Sequence, residues 1–146
     1  MAEEIILLVE DNENDEILTL HALKNSNILN EVVVARDGEE AVDYLFGTGK
    51  FANQPHPMLP VLILLDIKLP KLSATEVLRA IRGNEKTKLL PVVMLTSSNQ
   101  EKDIIESYNL GANSYVVKPV DFKQFSESVK QLGLYWLLLN QKPPLR

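Results

Sequence analysis

Apolar residues fall into short unbroken runs, separated by stretches in which they recur every three or four positions. Ile5 to Val9 and Val61 to Leu65 are apolar at every position. Such runs predict strands buried on both faces. Glu31 to Ala35 holds Val32, Val33 and Val34 in succession, a β-branched run that also suits a strand. Leu89 to Leu95, starting around Pro91 as suits a strand's first residue, and Ser114 to Val117 complete a set of five strands. Between them the spacing changes to a helical one. Asn12 to Lys24 carries Ile17, Leu20 and Leu23 on one side. Asp37 with Glu40, Ser73 with Glu76 and Ser98 with Glu101 have the capping-box spacing and open three further helices, which close at Gly47, Gly83 and Gly111. Asp121 opens the last, with Phe122, Phe125, Val129 and Leu132 inward and the pattern running on through Tyr135 to Leu139. Strict alternation of strand and helix predicts one parallel sheet covered on both faces through right-handed crossovers. Residues 48–60, with three prolines, read as a long irregular loop rather than a domain boundary.

The polar residues just past the strands change this from a fold into a candidate site. Glu10 and Asp11 follow the first strand, Asp66 the third, Thr96 ends the fourth and Lys118 follows the fifth. In open α/β sheets ligands gather at the carboxyl edge of the strands. Clustered carboxylates repel unless a cation neutralises them. Oxygen donors without a neighbouring His or Cys suit a hard ion, and few protein ligands plus water suit Mg²⁺. A carboxylate can also serve as a nucleophile and form an acyl phosphate. A lysine ammonium and a threonine hydroxyl would then cover phosphoryl oxygens, as phosphoryl transfer requires. The edge therefore reads as a site for an aspartyl phosphate on Asp66.

Composition narrows the alternatives. A length of 146 residues suits one domain. A net charge of −5 argues against a nucleic-acid footprint. The absence of cysteine excludes disulfides, thiolate catalysis and Cys-based metal sites. Neither a signal peptide nor a membrane-spanning run is recognisable, so the expected location is cytoplasmic. His21 and His56 have no metal-ligand spacing, and Gly47-Thr48-Gly49-Lys50 lacks the residues of a phosphate-binding P-loop.

Val9-Glu10-Asp11-Asn12, Leu65-Asp66-Ile67-Lys68-Leu69-Pro70, Leu95-Thr96-Ser97-Ser98 and Ser114-Tyr115-Val116-Val117-Lys118-Pro119 together resemble the receiver domain of two-component response regulators. The resemblance covers roughly residues 5–135. It implies a flavodoxin-like (βα)5 fold of class α/β, with a doubly wound five-stranded parallel sheet in the order 2-1-3-4-5. It implies a domain over residues 1–139 with its last helix extended, a short tail over 140–146, and no output domain. By the same resemblance Asp66 is the phosphoacceptor, served by a histidine kinase. Asp11 and Asp66 ligate Mg²⁺, Glu10 holds metal-bound water, and the Lys68 main-chain carbonyl completes the shell. Lys118 and Ser97 contact the phosphoryl group, Thr96 and Tyr115 form the switch, and the bond to Pro119 is cis. The chain would be no enzyme beyond its own phosphorylation and dephosphorylation. Ala74 stands where the family often has Gly, so the turn there must avoid positive φ or bear strain.

Two rival functions are open to the residues. A phosphatase with an aspartate nucleophile would want a second Asp at position 68, where Lys68 stands. A constitutive interaction module would have no use for the chemical groups at the strand ends. The segment Tyr135, Trp136, Leu137, Leu138 and Leu139 is apolar all round, more than one helix face can bury. With Tyr108 it suggests a homodimer surface built from the fourth helix, fifth strand and fifth helix. This extension, the 48–60 loop and Asn113-Ser114-Tyr115 resemble single-domain regulators paired with bacterial phytochromes, which implies a phytochrome-type kinase and an unknown downstream protein as partners. No nucleic-acid or membrane partner is expected.

Overall fold

The computed structural model describes residues 4–53, 59–119, 121–141 and 143. Five parallel strands form one sheet in the order β2-β1-β3-β4-β5. The elements run β1 (Ile6–Val9), α1 (Glu13–Asn25), β2 (Val32–Ala35), α2 (Gly38–Phe46), β3 (Leu62–Leu65), α3 (Ala74–Arg82), β4 (Val92–Thr96), α4 (Glu101–Asn109), β5 (Ser114–Val117) and α5 (Phe122–Gly133). Every residue of β1, β3 and β4 is buried, which is why their sequences are apolar without alternation.

Successive strand residues point to opposite faces and supply two cores. Leu7, Val9, Ile63, Leu65, Val92 and Met94 pack against Ala41 and Leu45 of α2 and Val77, Leu78 and Ile81 of α3. Ile6, Leu8, Leu62, Leu64, Val93 and Leu95 face the other way and meet Leu132 of α5, beside a cluster of Ala22, Leu23, Phe125 and Val129 that joins α1 to α5. Gly38 makes a close approach possible at the start of α2. A Cβ there would stand 1.9 Å from the Leu72 carbonyl oxygen, in the loop that follows Asp66. No helix among the described residues is long and apolar enough to cross a membrane.

Several local expectations are corrected. The buried stripe of α1 is Glu16, Thr19, Ala22 and Leu23. Ile17 is 55% exposed, because Ala22 and Leu23 seat α1 on Phe125 and Val129 of α5 and turn Glu16, which Arg36 binds, inward instead. Phe122 is likewise largely exposed and lies beside the exposed ring of His21. Ser73 and Glu76 form the predicted box, and Asp37 accepts from the Glu40 N–H, but Ser98 does not cap α4. Its hydroxyl donates to Asp103 instead, and Gln100 is the residue before the helix, with no side-chain cap bond. β4 starts at Val92, directly after the expected Pro91, and the Lys88 and Leu90 carbonyls before it accept from Arg82 and stay out of the ladder. Within the 48–60 loop, Gly49–Phe51 form one 3-10 turn; His56 lies outside the described residues. Ala74 is the first residue of α3 and so has helical backbone, and the left-handed residue of that loop is Lys71, at φ 66°. The Lys118–Pro119 bond is trans, no cis bond occurring among the described residues. Trans is the lower-energy isomer of an X–Pro bond by about 0.5–1 kcal/mol.

Candidate functional site at the sheet edge

Register explains why the polar residues meet. Val9 is level with Leu65, Leu65 with Met94, and Thr96 with Val117. The next residues inherit that alignment. The Asp66 N–H donates to the Val9 carbonyl at 3.2 Å and the Lys118 N–H to the Thr96 carbonyl at 2.7 Å. Glu10, Asp66 and Thr96 are buried at this edge, and Glu10 is 2% exposed.

Lys118 is the centre of the arrangement. Its Nζ donates to Glu10 Oε1 at 2.5 Å, Asp66 Oδ2 at 3.0 Å and Asp15 Oδ2 at 3.0 Å. Asp66 Oδ1 accepts from the Lys68 N–H at 3.2 Å, and Glu10 Oε2 from the Asn12 N–H at 3.3 Å. Burial pushes the Glu10 carboxyl up to about 7, outweighing the hydrogen bond from Lys118. Burial alone would also raise Asp66. The charge of Lys118 and the hydrogen bonds from Lys118 and the Lys68 N–H overcome it and hold that carboxyl below its ordinary value. Burial would lower Lys118, but hydrogen bonds to Glu10 and Asp15 and the charge of Asp66 raise it. The ammonium therefore stays charged throughout the physiological range.

The structure thus brings together Glu10, Asp66, Thr96 and Lys118, all anticipated at the strand ends, and adds Asp15. Carboxylate oxygens of Glu10, Asp15 and Asp66 lie within 4.8 Å of one another. This hard, oxygen-only donor set fits a divalent cation. Asp11 is exposed and stands outside that group among the described residues, as does the exposed side chain of Lys68. Asp15 was missed because it lies in a polar helix turn with no strand signal. Helical side chains lean toward the N-terminus, so a first-turn residue of α1 reaches back to the strand edge.

On the switch side, Thr96 Oγ1 accepts from the Ser98 N–H at 3.4 Å, and the half-buried Tyr115 donates its hydroxyl to the Ser98 carbonyl at 2.8 Å. Ser97 is exposed between them. Farther along, the apolar C-terminal segment divides. Trp136 and Leu137 pack against the core face of Ile6 and Leu8, whereas Tyr135, Leu138 and Leu139 are exposed, as is Tyr108. Trp136 is half-buried, with its ring edge-on to that of Tyr135 at 5.1 Å, in the π-helical turns of Leu134–Leu139.

Residues 6–130 match the family described as the response regulator receiver domain. The chain is 41% identical over 133 residues to response regulator Rcp1 of Synechocystis sp., covering 91% of this chain and 88% of that one. Its fold is similar to the phosphorylated cyanobacterial phytochrome response regulator RcpA, with a TM-score of 0.89, 42% identity and 98% and 100% of the two chains covered. It is similar also to the Mn²⁺-bound form of Rcp1, with a TM-score of 0.86, 40% identity and 97% and 99% covered. The family match over most of the chain and the likeness of fold agree with the five parallel strands found here, and the chain belongs to the response regulator receiver family, whose members are signalling domains of two-component systems rather than conventional enzymes.

Proposed function

We propose that Asp66 accepts a phosphoryl group from a phosphohistidine of a sensor kinase, and that Thr96 and Tyr115 convert this event into a change of surface. The observation that carries the reading is Lys118, whose buried ammonium joins the Asp66 and Glu10 carboxylates at the sheet edge. Asp66 Oδ attacks phosphorus. The P–N bond of the donor breaks, and its electron pair stays with the imidazole nitrogen. The hydrogen bonds that keep Asp66 ionised keep it nucleophilic. Lys118 is within reach of new phosphoryl oxygens and offsets their charge, and Thr96 and Ser97 offer further donors. Asp66 and Glu10 of the carboxylate group would hold Mg²⁺ together with the exposed Asp11 and the Lys68 carbonyl, Asp15 of that group being engaged by Lys118. A divalent ion bound there supplies charge neutralisation to the transferring oxygens. The Mn²⁺-bound form of Rcp1 supports a divalent site.

Added charge at Asp66 draws the Thr96 hydroxyl inward and moves Ser98, whose carbonyl holds Tyr115. The surface that changes is α4, β5 and α5. Its exposed Ile105, Tyr108, Val117, Tyr135, Leu138 and Leu139 support a homodimer face. Similarity to RcpA and Rcp1 supports a phytochrome-type kinase as donor.

With Mg²⁺ and acetyl phosphate, the wild type is expected to form a base-labile acyl phosphate that Asp66→Asn lacks, read by intact-protein mass spectrometry. Equal labelling of both would remove Asp66 from the role. Sustained release of phosphate from phosphomonoesters would favour an enzyme instead.

A further inference from the structure

An ammonium has three hydrogens and no acceptor. In Lys118 all three are committed, to Glu10, Asp15 and Asp66. The side chain is 7% exposed, so water offers little replacement. A phosphoryl oxygen can gain a hydrogen bond from Lys118 only if one of these is given up. Glu10 is a poor candidate, because it is buried and solvent cannot replace the bond that its Oε1 would lose. Asp66 is the carboxylate to which the phosphoryl group becomes attached, so Lys118 must stay beside it. Asp15 is the remaining partner. Its side chain is 36% exposed, and solvent can take over the oxygen that Lys118 releases. Its backbone is fixed meanwhile, since the Asp15 N–H donates to the capping Asn12 side chain at 3.0 Å.

We infer that Asp15 is a positioning residue for Lys118, holding one ammonium hydrogen in the unphosphorylated site and surrendering it to the phosphoryl group. This rests on the phosphoacceptor reading of Asp66. It adds a residue that the strand-end motif does not contain, placed by α1 and open to solvent. Asp15 then acts as a brake. Its bond to Lys118 stabilises the unphosphorylated form, and its negative charge opposes an incoming anion.

The test uses the full chain, with beryllofluoride as the phosphoryl mimic and saturating Mg²⁺. Affinity is read by the ¹⁹F NMR signal of the bound mimic for wild type, Asp15→Asn, Asp15→Ala and Asp15→Glu. The Asn and Ala variants are expected to bind the mimic about two- to fivefold more tightly, the worth of a half-exposed ion pair, and Asp15→Glu to return toward wild type. In the metal-free protein the ¹⁵N signal of the Lys118 ammonium, protected from exchange in wild type, is expected to broaden in Asp15→Ala. Unchanged or weaker binding by Asp15→Asn, or an unchanged ammonium signal, overturns the role. So does a loss of Mg²⁺ affinity in Asp15→Asn beyond about a hundredfold, more than an outer-shell partner costs, which would make Asp15 a metal ligand. Failure of the wild type to bind the mimic would instead sink the phosphoacceptor reading on which the inference stands.

Discussion

Helices α3 and α4 have nine residues each and follow the two strands that carry Asp66 and Thr96, yet they are held in different ways. α3 opens with a complete capping box and buries Ala74, Val77, Leu78 and Ile81. α4 opens without a side-chain cap and buries Ser107, whose hydroxyl merely bonds back to the Asp103 carbonyl. Its apolar Ile105 and Tyr108 are about half exposed. A cleft of about 190 Å³, lined by Ser73, Thr75 and Leu78 on one side and Asp103, Glu106 and Ser107 on the other, separates the two helices above Met94. The α3 side is frame, and it keeps Asp66 where Lys118 can meet it. The α4 side is the weakly anchored part, and it is attached to the Thr96, Ser98 and Tyr115 chain of hydrogen bonds. Elements that move in switching come from the low-stability end of a structure. The contrast therefore gives the proposed switch a helix held less firmly than its neighbour.

The largest effect that can probe this contrast is truncation in the core. Leu78→Ala is expected to lose about 2–5 kcal/mol, and Ile105→Ala less than about 0.5 kcal/mol, by urea unfolding. Similar losses for both would mean that α4 is as much frame as α3. A smaller effect tests the cap. Ser73→Ala removes an acceptor for the Glu76 N–H and should cost about 1 kcal/mol, again by the denaturation midpoint.

How far the sequence revealed this contrast depends on which physical signal each element leaves. β1, β3 and the acids behind them were legible because a doubly buried strand must be apolar throughout and its polar terminus then stands out. Lys118 was legible through its place in the alternation, as the residue after a short and only half-buried fifth strand. The buried face of α1 was misread because stripes through Ile17 and through Glu16 differ by one position, and the choice between them is made by packing on α5, about a hundred residues on, with Arg36 partnering Glu16. Asp15 left no trace, since an acidic first turn is also what any helix N-terminus favours. The box at Ser98 and Glu101 matched by spacing alone. Nothing local foretold that Asp103 would take the Ser98 hydroxyl. The misreadings gather on helix faces and caps, where partners distant in sequence or a competing side chain decide the outcome.

The finest test asks whether the missing cap or the thin packing makes α4 loose. Gln100 already has extended backbone, at φ −71° and ψ 132°, the conformation of a helix-capping residue. Gln100→Ser would supply an acceptor without adding charge to a first turn that already holds Glu101 and Asp103. The expected gain is about 0.5–1 kcal/mol of local stability, read as slower amide hydrogen exchange within Glu101–Asn109 and none within Ala74–Arg82. If capping were the whole cause, the two helices would then exchange alike. The packing argues that they will not. With Ser107 as its buried residue, α4 has no large side chain locked beneath the sheet, and its amides should still open more readily than those of α3.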